Sequence, residues 1–174
     1  MPLDAKSVES HSFASRTYAL RIYAGDNSLA ALPEELRRND VHRALILCGR
    51  SVHERSAITQ SITELLGDRL AGIFPRISEG APSNCIEDAS RIASEIKADG
   101  LIAIGAGSVI KGARVVAMLM GEKQPLEDMA TRHVEGGAPI TRKLLAPKVP
   151  IFNILTSPTS AQNRGGSAVR HHGH

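Results

Sequence analysis

Four small residues, Gly105, Ala106, Gly107 and Ser108, lie between an apolar run and a segment with helical apolar periodicity. Strand, small-residue turn and helix in this order are typical of a phosphate-binding loop, because glycines let the backbone approach an anion and the helix directs free N–H groups at it. Ser108 is a good N-cap residue whose hydroxyl can reach the same anion. The third glycine of the dinucleotide fingerprint G-x-G-x-x-G is lacking, so a tight strand-to-helix turn without a ligand explains the spacing equally well.

The elements around this turn alternate in type along the chain. Apolar runs predict strands over residues 17–23, 43–48, 70–74, 101–104 and 149–155. Apolar periodicity predicts helices over residues 29–38, 86–98 and 109–120, and another helix that ends at Gly67. Asn84 and Glu87 form a predicted capping box. Strands that alternate with helices predict an α/β fold, an open parallel sheet with flanking helices that is Rossmann-like.

Ligands of open parallel sheets bind beyond the carboxyl ends of the strands. Three loops are predicted to lie there: residues 49–51, 105–108 and 156–160. All three contain small or hydroxyl-bearing residues. Together they indicate a groove for a phosphorylated ligand.

The composition argues against several other classes of protein. A length of 174 residues suits one domain, or one domain and part of another. The formal charge of +3 is spread along the chain, and no Trp, two Tyr and three Phe leave little to stack nucleic-acid bases. We expect no nucleic-acid partner. No apolar run approaches about 18 residues and no signal sequence is evident, which predicts a cytoplasmic protein without a membrane span.

Two stretches resemble a known family. GAGSVIKGARVVA resembles the GGGSxxDxAKxxA segment of the iron-containing (group III) alcohol dehydrogenases, a family that includes glycerol dehydrogenases and maleylacetate reductases. IFNILTSPTSAQN resembles that family's strand followed by TTxGTGSE, and the strand and turn in ALILCGRS occur in the matching order. The resemblance covers most of residues 17–163, and only the N-terminal half of such an enzyme.

The resemblance implies an NAD(P)-binding α/β domain over residues 1–163. Residues 164–174 would then be a flexible tail or the start of a missing helical domain, which in the family holds iron or zinc. The metal ligands of the family, one Asp and three His, would lie beyond this chain. No histidine here forms a helical H-x-x-x-H pair, and the terminal His171, His172 and His174 are better explained as a tail than as a metal site. We therefore predict no catalytic residue and no metal ligand in this chain.

The same resemblance implies contacts to the cofactor. Gly105, Ala106, Gly107 and Ser108 would wrap its diphosphate. Thr156 and Ser157 match the paired threonines that line the family's cofactor cleft.

Other positions depart from the family pattern or vary within it. Gly49 stands where many members have an acidic residue that binds the adenosine ribose, and Arg50 follows it. This pair favours NADP, or dual use of NAD and NADP; a solvated Arg50 is an equal alternative. Lys111 replaces an Asp of the family and is a candidate contact to the diphosphate. Residues 158–163 replace AGTGSE, and the lost glycines predict weaker or displaced cofactor binding.

These observations predict the nucleotide-binding half of a metal-dependent oxidoreductase similar to alcohol dehydrogenases, inactive alone. Its complete form would oxidise or reduce a small alcohol or aldehyde. Two alternatives stay open: a non-catalytic nucleotide-binding or assembly module, and half of an enzyme similar to dehydroquinate synthase that acts on a phosphate ester. An exposed apolar face for the second domain predicts self-association, and hence a homo-oligomer.

Overall fold

The computed structural model describes residues 20–164 and 167–170. In that part of the chain the strands are β1 (Ala44–Cys48), β2 (Leu70–Phe74), β3 (Gly100–Gly105) and β4 (Ile151–Leu155). The helices are α1 (Leu32–Arg38), α2 (Arg50–Arg55), α3 (Ala57–Leu66), α4 (Ser83–Glu95), α5 (Gly107–Glu122) and α6 (Leu126–Met129). Short 3₁₀ turns occupy Ser28–Ala31, Gly67–Arg69 and Ala161–Asn163.

The strands form one parallel sheet in the order β2-β1-β3-β4. Consecutive side chains of β1 and β3 enter two different cores. Leu45, Leu47, Leu101 and Ala103 pack with α4 and α5, whereas their strand neighbours pack with α1 and α3. Because both faces are covered, every residue of β1 and β3 is buried, which explains their continuous apolar sequences. The predicted α/β fold with an open parallel sheet and flanking helices is confirmed.

Most of the predicted elements are present. The last four predicted strands match β1 to β4, and the helices predicted after residue 80 match α4 and α5. Gly67 ends α3 with a backbone φ of 50°, a conformation that suits glycine. The helix predicted over residues 29–38 consists of a 3₁₀ turn followed by α1, with Pro33 in its first turn.

The strand predicted over residues 17–23 is absent from residues 20–23, the part of it that the structure describes. There the apolar side chains remain in solvent, and Ile22 is 73% exposed. The polar side chains instead bind α1: the Tyr23 hydroxyl donates to Glu35 Oε1 over 2.6 Å, and Arg21 Nη1 lies 3.3 Å from the same oxygen. The alternation of apolar residues therefore wrongly indicated a strand. Side-chain contacts to α1 hold this segment in place without a strand partner.

The capping box predicted from Asn84 and Glu87 is also wrong. Helix α4 begins at Ser83, one residue earlier, and Pro82 occupies the N-cap position without a side-chain hydrogen bond. The Ser83 N–H group donates to the carbonyl of Arg170 over 2.8 Å instead. A distant segment thus provides a hydrogen-bond acceptor at the start of α4.

The end of α5 is fastened to the chain that leads into β4. The Glu122 side chain is only 9% exposed. Its carboxylate accepts hydrogen bonds from Lys148 Nζ over 2.6 Å and from the Ala146 N–H over 3.0 Å. The hydrogen bond from Lys148 holds the pKa of Glu122 below the ordinary value of 4.5. Ionised Glu122 is therefore favoured in the folded state.

We expect this carboxylate to contribute to the acid sensitivity of the fold. A carboxylate whose pKa is lower in the folded protein stabilises the fold. That contribution is complete above the pKa of the unfolded state, and it is lost as the pH falls through the pKa of the folded state. Urea unfolding between about pH 6 and about pH 3 should show wild-type stability falling with acid more steeply than that of Glu122→Gln. Equal slopes for the two proteins would contradict the contribution of this carboxylate.

The described helices include none that combines the length and the apolar character needed to cross a membrane. Several large apolar side chains nevertheless face solvent, among them Leu145, Ile140 and Leu155. Leu155 is the last residue of β4, which is an outer strand of the sheet. Self-association through such a surface stays a prediction.

Candidate functional site

The loops predicted to lie at the carboxyl ends of the strands meet at one edge of the sheet. The Thr156 N–H donates to the Gly105 carbonyl over 3.2 Å, which joins the ends of β4 and β3. The Ile77 N–H donates to the Cys48 carbonyl over 3.0 Å, which joins the segment after β2 to the end of β1. Cys48 in turn pairs with Ile104 of β3. Loops from four strands therefore share one surface, which we call the carboxyl edge.

The turn between β3 and α5 depends on a residue without a side chain at Gly105. A Cβ atom built there would lie 2.6 Å from Val109 Cγ2 and 2.9 Å from Val109 Cβ. Real Cβ atoms do not approach other carbons so closely, and Val109 is itself 6% exposed and packed in the core. Gly105 is thus required by the packing of the first turn of α5 against the end of β3.

Helix α5 begins at Gly107, and Ala106 is its N-cap residue. The Ala106 carbonyl accepts from the N–H groups of Val109 and Ile110 over 3.1 and 3.2 Å. The first N–H groups of a helix have no partner within the helix, and in α5 they project at the carboxyl edge. A Cβ on Gly107 would be 3.5 Å from Thr159 Oγ1, an ordinary contact, so its backbone is not crowded.

The prediction that Ser108 caps α5 is wrong. Ser108 is the second residue of the helix, and its Oγ accepts a hydrogen bond from the Gly80 N–H over 3.1 Å. The hydroxyl still has its own hydrogen to donate, because accepting a bond uses only a lone pair. Ser108 therefore links the start of α5 to the loop before α4, and it keeps one donor for a ligand.

The segment after β4 lies beside the start of α5. Thr156 and Ser157 are exposed, whereas Thr159 is partly buried and faces Gly107. The Thr159 Oγ1 accepts from the Ala161 N–H over 3.1 Å. In this segment the hydroxyl that faces Gly107 is therefore that of Thr159, whereas the residues predicted from the sequence are Thr156 and Ser157 of the same loop.

Gly49 and Arg50 begin α2 at the end of β1. Gly49 is the N-cap residue, and a Cβ on it would lie 3.3 Å from the Ile77 carbonyl oxygen, tighter than most real contacts. The Arg50 side chain is 77% exposed, with Nε 4.0 Å from Glu54 Oε1. An ion pair so exposed to solvent contributes little to stability, so Arg50 can move toward a ligand at a small cost in free energy.

The charge at the carboxyl edge is predominantly positive. Arg50, Arg76 and Lys111 lie on the loops and helix turns that follow β1, β2 and β3. The stretches 49–53, 75–78, 105–111 and 156–164 contain no acidic residue. Lys111 is partly buried on α5 and forms no ion pair with any residue that the structure describes. Glu54 and Glu79 follow directly after two of these stretches, so the cations outnumber the carboxylates, which favours an anionic ligand.

Arg114 fastens the chain that follows the 3₁₀ turn to α5. Its Nη2 donates to the Ala161 carbonyl over 2.6 Å, and its Nη1 donates to Ser167 Oγ over 2.9 Å. Further along, the Arg170 N–H donates to the Gly80 carbonyl over 3.2 Å. These contacts leave no signal in the sequence, because they join residues far apart in the chain. Residues 167–170 thus lie against α5 and the start of α4, and a domain boundary at residue 163 stays a prediction.

The described residues include no group of three or more His, Cys, Asp or Glu side chains that could hold a metal ion. His171, His172 and His174 lie outside those residues. Burial raises the pKa of the Cys48 thiol to about 11, and burial also raises the pKa of Cys85. Both thiols are therefore protonated near neutral pH, and neither is an activated nucleophile.

Comparison with known proteins shows one family. The iron-containing alcohol dehydrogenase family matches residues 19–172. A maleylacetate reductase of Pseudomonas knackmussii is 35% identical over 98 residues, which are 56% of this chain and 27% of that protein. Maleylacetate reductase 1 of Cupriavidus pinatubonensis is 34% identical over 98 residues, with the same two shares of 56% and 27%.

Solved structures share the fold. An archaeal halo-thermophilic alcohol dehydrogenase from a Red Sea brine pool superposes with a TM-score of 0.72 at 18% identity, over 84% of this chain and 37% of that one. The aldehyde reductase YqhD of E. coli gives a TM-score of 0.70 at 20% identity, over 94% of this chain and 42% of that one. The matched part is less than half of each of these relatives. The family match extends over most of the sequence, and this chain belongs to the iron-containing alcohol dehydrogenase family.

Proposed function

We propose that this chain binds NAD(P) at the carboxyl edge and is the nucleotide-binding part of an oxidoreductase that acts on a small alcohol or aldehyde. One observation carries the proposal. A glycine turn that tolerates no side chain at Gly105 leads directly into the 16-residue helix α5, whose first N–H groups point at the carboxyl edge, where Arg50, Arg76 and Lys111 also lie. A helix start of this kind suits a diphosphate.

The residues present fit the diphosphate of a dinucleotide. The backbone of residues 105–108 would hold the anion, and the free hydrogen of the Ser108 hydroxyl would donate to it. Lys111, one turn along α5, would supply a positive charge. Thr156 and Ser157 are exposed next to Gly105 and would line the rest of the cleft. When bound, the nicotinamide supplies hydride transfer, and these residues only bind and orient it.

We further propose that NADP is used, alone or together with NAD. A ribose 2′-phosphate at the end of β1 would meet no carboxylate at Gly49. The exposed guanidinium of Arg50 lies next to it in sequence. The guanidinium group is suited to phosphate, since it is always charged and offers several donors in one plane.

The metal of the family is not accommodated by the residues that the structure describes, because they provide no cluster of ligands. We propose that iron or zinc is held by a part of the protein outside them, and that this chain alone binds cofactor without turnover. The departures at residues 158–163 support a second candidate, a non-catalytic nucleotide-binding module. Activity regained after adding the remaining part of a homologous enzyme would favour the oxidoreductase; retained binding without activity would favour the module.

The cofactor proposal is tested by titrating the chain with NADPH and with NADH while following nicotinamide fluorescence. Gly107→Asp should weaken both by at least about tenfold, because it places a carboxylate beside the diphosphate. There is space for the new side chain, since a Cβ at this position makes only an ordinary contact with Thr159. Gly107→Ala is the matched control and should retain most of the affinity.

Two results would contradict the proposal. One is the absence of binding of either dinucleotide to the wild-type chain. The other is equal binding by wild type and Gly107→Asp, which would place the dinucleotide away from the turn. Circular dichroism of each variant distinguishes loss of binding from loss of fold.

A further inference from the structure

We propose that Arg76 is a second guanidinium for the 2′-phosphate of NADPH and determines cofactor selectivity together with Arg50. This inference rests on the proposed binding of NAD(P) at the carboxyl edge. It assigns a role to the segment after β2, residues 75–77, which the sequence reasoning did not associate with a ligand.

The segment of residues 75–77 lies beside the end of β1. The Ile77 N–H donates to the Cys48 carbonyl over 3.0 Å, so residues 75–77 continue alongside the end of β1 after the strand pairing has finished. The Ile77 carbonyl oxygen lies 3.3 Å from the place that a Gly49 Cβ would occupy. A side chain at residue 49 would therefore press against this segment. A ribose next to Gly49 would contact residues 75–77.

Arg76 is held in place by its neighbours. Its guanidinium carbon lies 4.8 Å from the centre of the Phe74 ring, and Phe74 is 2% exposed. Its carbonyl accepts a hydrogen bond from Cys85 Sγ over 3.0 Å. A cation over an aromatic face is attracted to it and loses less freedom on binding a ligand than a fully mobile one. The side chain is exposed, so its donors remain accessible.

The charges of Arg76 and Arg50 are available to an anion. Arg76 forms no ion pair with any residue in the described part of the chain, and Arg50 has only the 4.0 Å approach of Glu54. The phosphate monoester on the ribose is nearly doubly charged at neutral pH. Two guanidinium groups from adjacent strand ends would balance that charge and could each bind it through two parallel hydrogen bonds. NADH lacks this phosphate and gains nothing from either arginine.

The test measures the ratio of the Kd values for NADH and NADPH in wild type, Arg76→Met, Arg76→Lys and Arg50→Met. Methionine keeps an apolar stem over Phe74 and removes the charge. We expect Arg76→Met to weaken NADPH binding about tenfold and to leave NADH binding unchanged. Arg76→Lys should show a smaller loss, since an ammonium lacks the planar pair of donors. The matched control is Arg91→Met, which removes one charge from the exposed face of α4.

The outcomes separate the two proposals. Binding of neither dinucleotide to the wild-type chain would overturn the proposed function and this inference with it. Binding of both, with a Kd ratio that Arg76→Met does not change, would overturn the inference while the proposed function stands. An equal loss for NADPH in Arg91→Met and Arg76→Met would also overturn it, because the effect would then be one of net charge.

Discussion

Gly105→Ala should lower the free energy of unfolding by about 1–3 kcal/mol, the usual range for forcing extra volume into a packed region. It should also abolish dinucleotide binding. The new methyl carbon would lie 2.6 Å from Val109 Cγ2, and relief requires moving the first turn of α5 away from β3. That movement displaces the N–H groups that we propose to hold the diphosphate. Urea unfolding and nicotinamide fluorescence measure the two effects on the same sample.

Gly107→Ala is the natural control, because it adds the same methyl group two residues later. There the Cβ makes only an ordinary 3.5 Å contact with Thr159 Oγ1. If both alanine variants unfolded at the same urea concentration as wild type, the close packing of Val109 on the turn would be disproved. If Gly105→Ala were destabilised and still bound NADPH normally, the diphosphate would not lie at this turn.

Gly121→Ala should be comparably destabilising, although it places alanine in a helix. Alanine is favoured over glycine in a helix by about 1 kcal/mol, so the helix preference alone predicts a more stable protein. In this structure the added Cβ would lie 2.5 Å from the Pro147 carbonyl oxygen and 2.8 Å from Lys148 Cδ. Backbone cannot move aside as a flexible side chain can. The clash should therefore outweigh the preference and give a net loss of about 1–3 kcal/mol.

The matched comparison is Gly137→Ala, in an exposed loop where the Cβ would be 3.5 Å from Val134 Cβ. It should unfold close to wild type in urea. A Gly121→Ala protein more stable than wild type would show that the chain before β4 is free to move away from α5. It would also imply that the ion pair between Glu122 and Lys148 is easily broken.

Much of the fold could be predicted because its main signals are local. The strands β1 and β3 are unbroken apolar runs, as expected for strands covered on both faces, and α4 shows its apolar face at helical spacing. Helix α2 was missed because it has only six residues, none of them buried, and so lacks a periodic pattern. The N-terminal strand was predicted from alternation alone, and alternation does not show whether a partner strand is present.

The loops at the carboxyl edge could be predicted from the sequence, but the side-chain contacts within them could not. The small residues around Gly105 indicated a turn at the carboxyl edge, and the structure places such a turn there. The Ser108 hydroxyl binds Gly80, and Thr159 faces Gly107, because of how α4, α5 and the segment after β4 pack together. Arg76 acquires its position from β1 and Phe74. Such long-range neighbours leave no pattern in a single sequence.

The hydrogen bond between Ser83 and Arg170 limits the order in which the domain can fold on the ribosome. Strands β1 and β2 can pair soon after they emerge, whereas the other edge of β1 stays open until β3 has been made. The first turn of α4 acquires the acceptor for its Ser83 N–H only after Arg170 has been synthesised. The nascent domain thus carries an exposed strand edge until β3 has been made, and an unfinished helix start until Arg170 has been made. A segment far along the chain thus completes an element that is synthesised well before it.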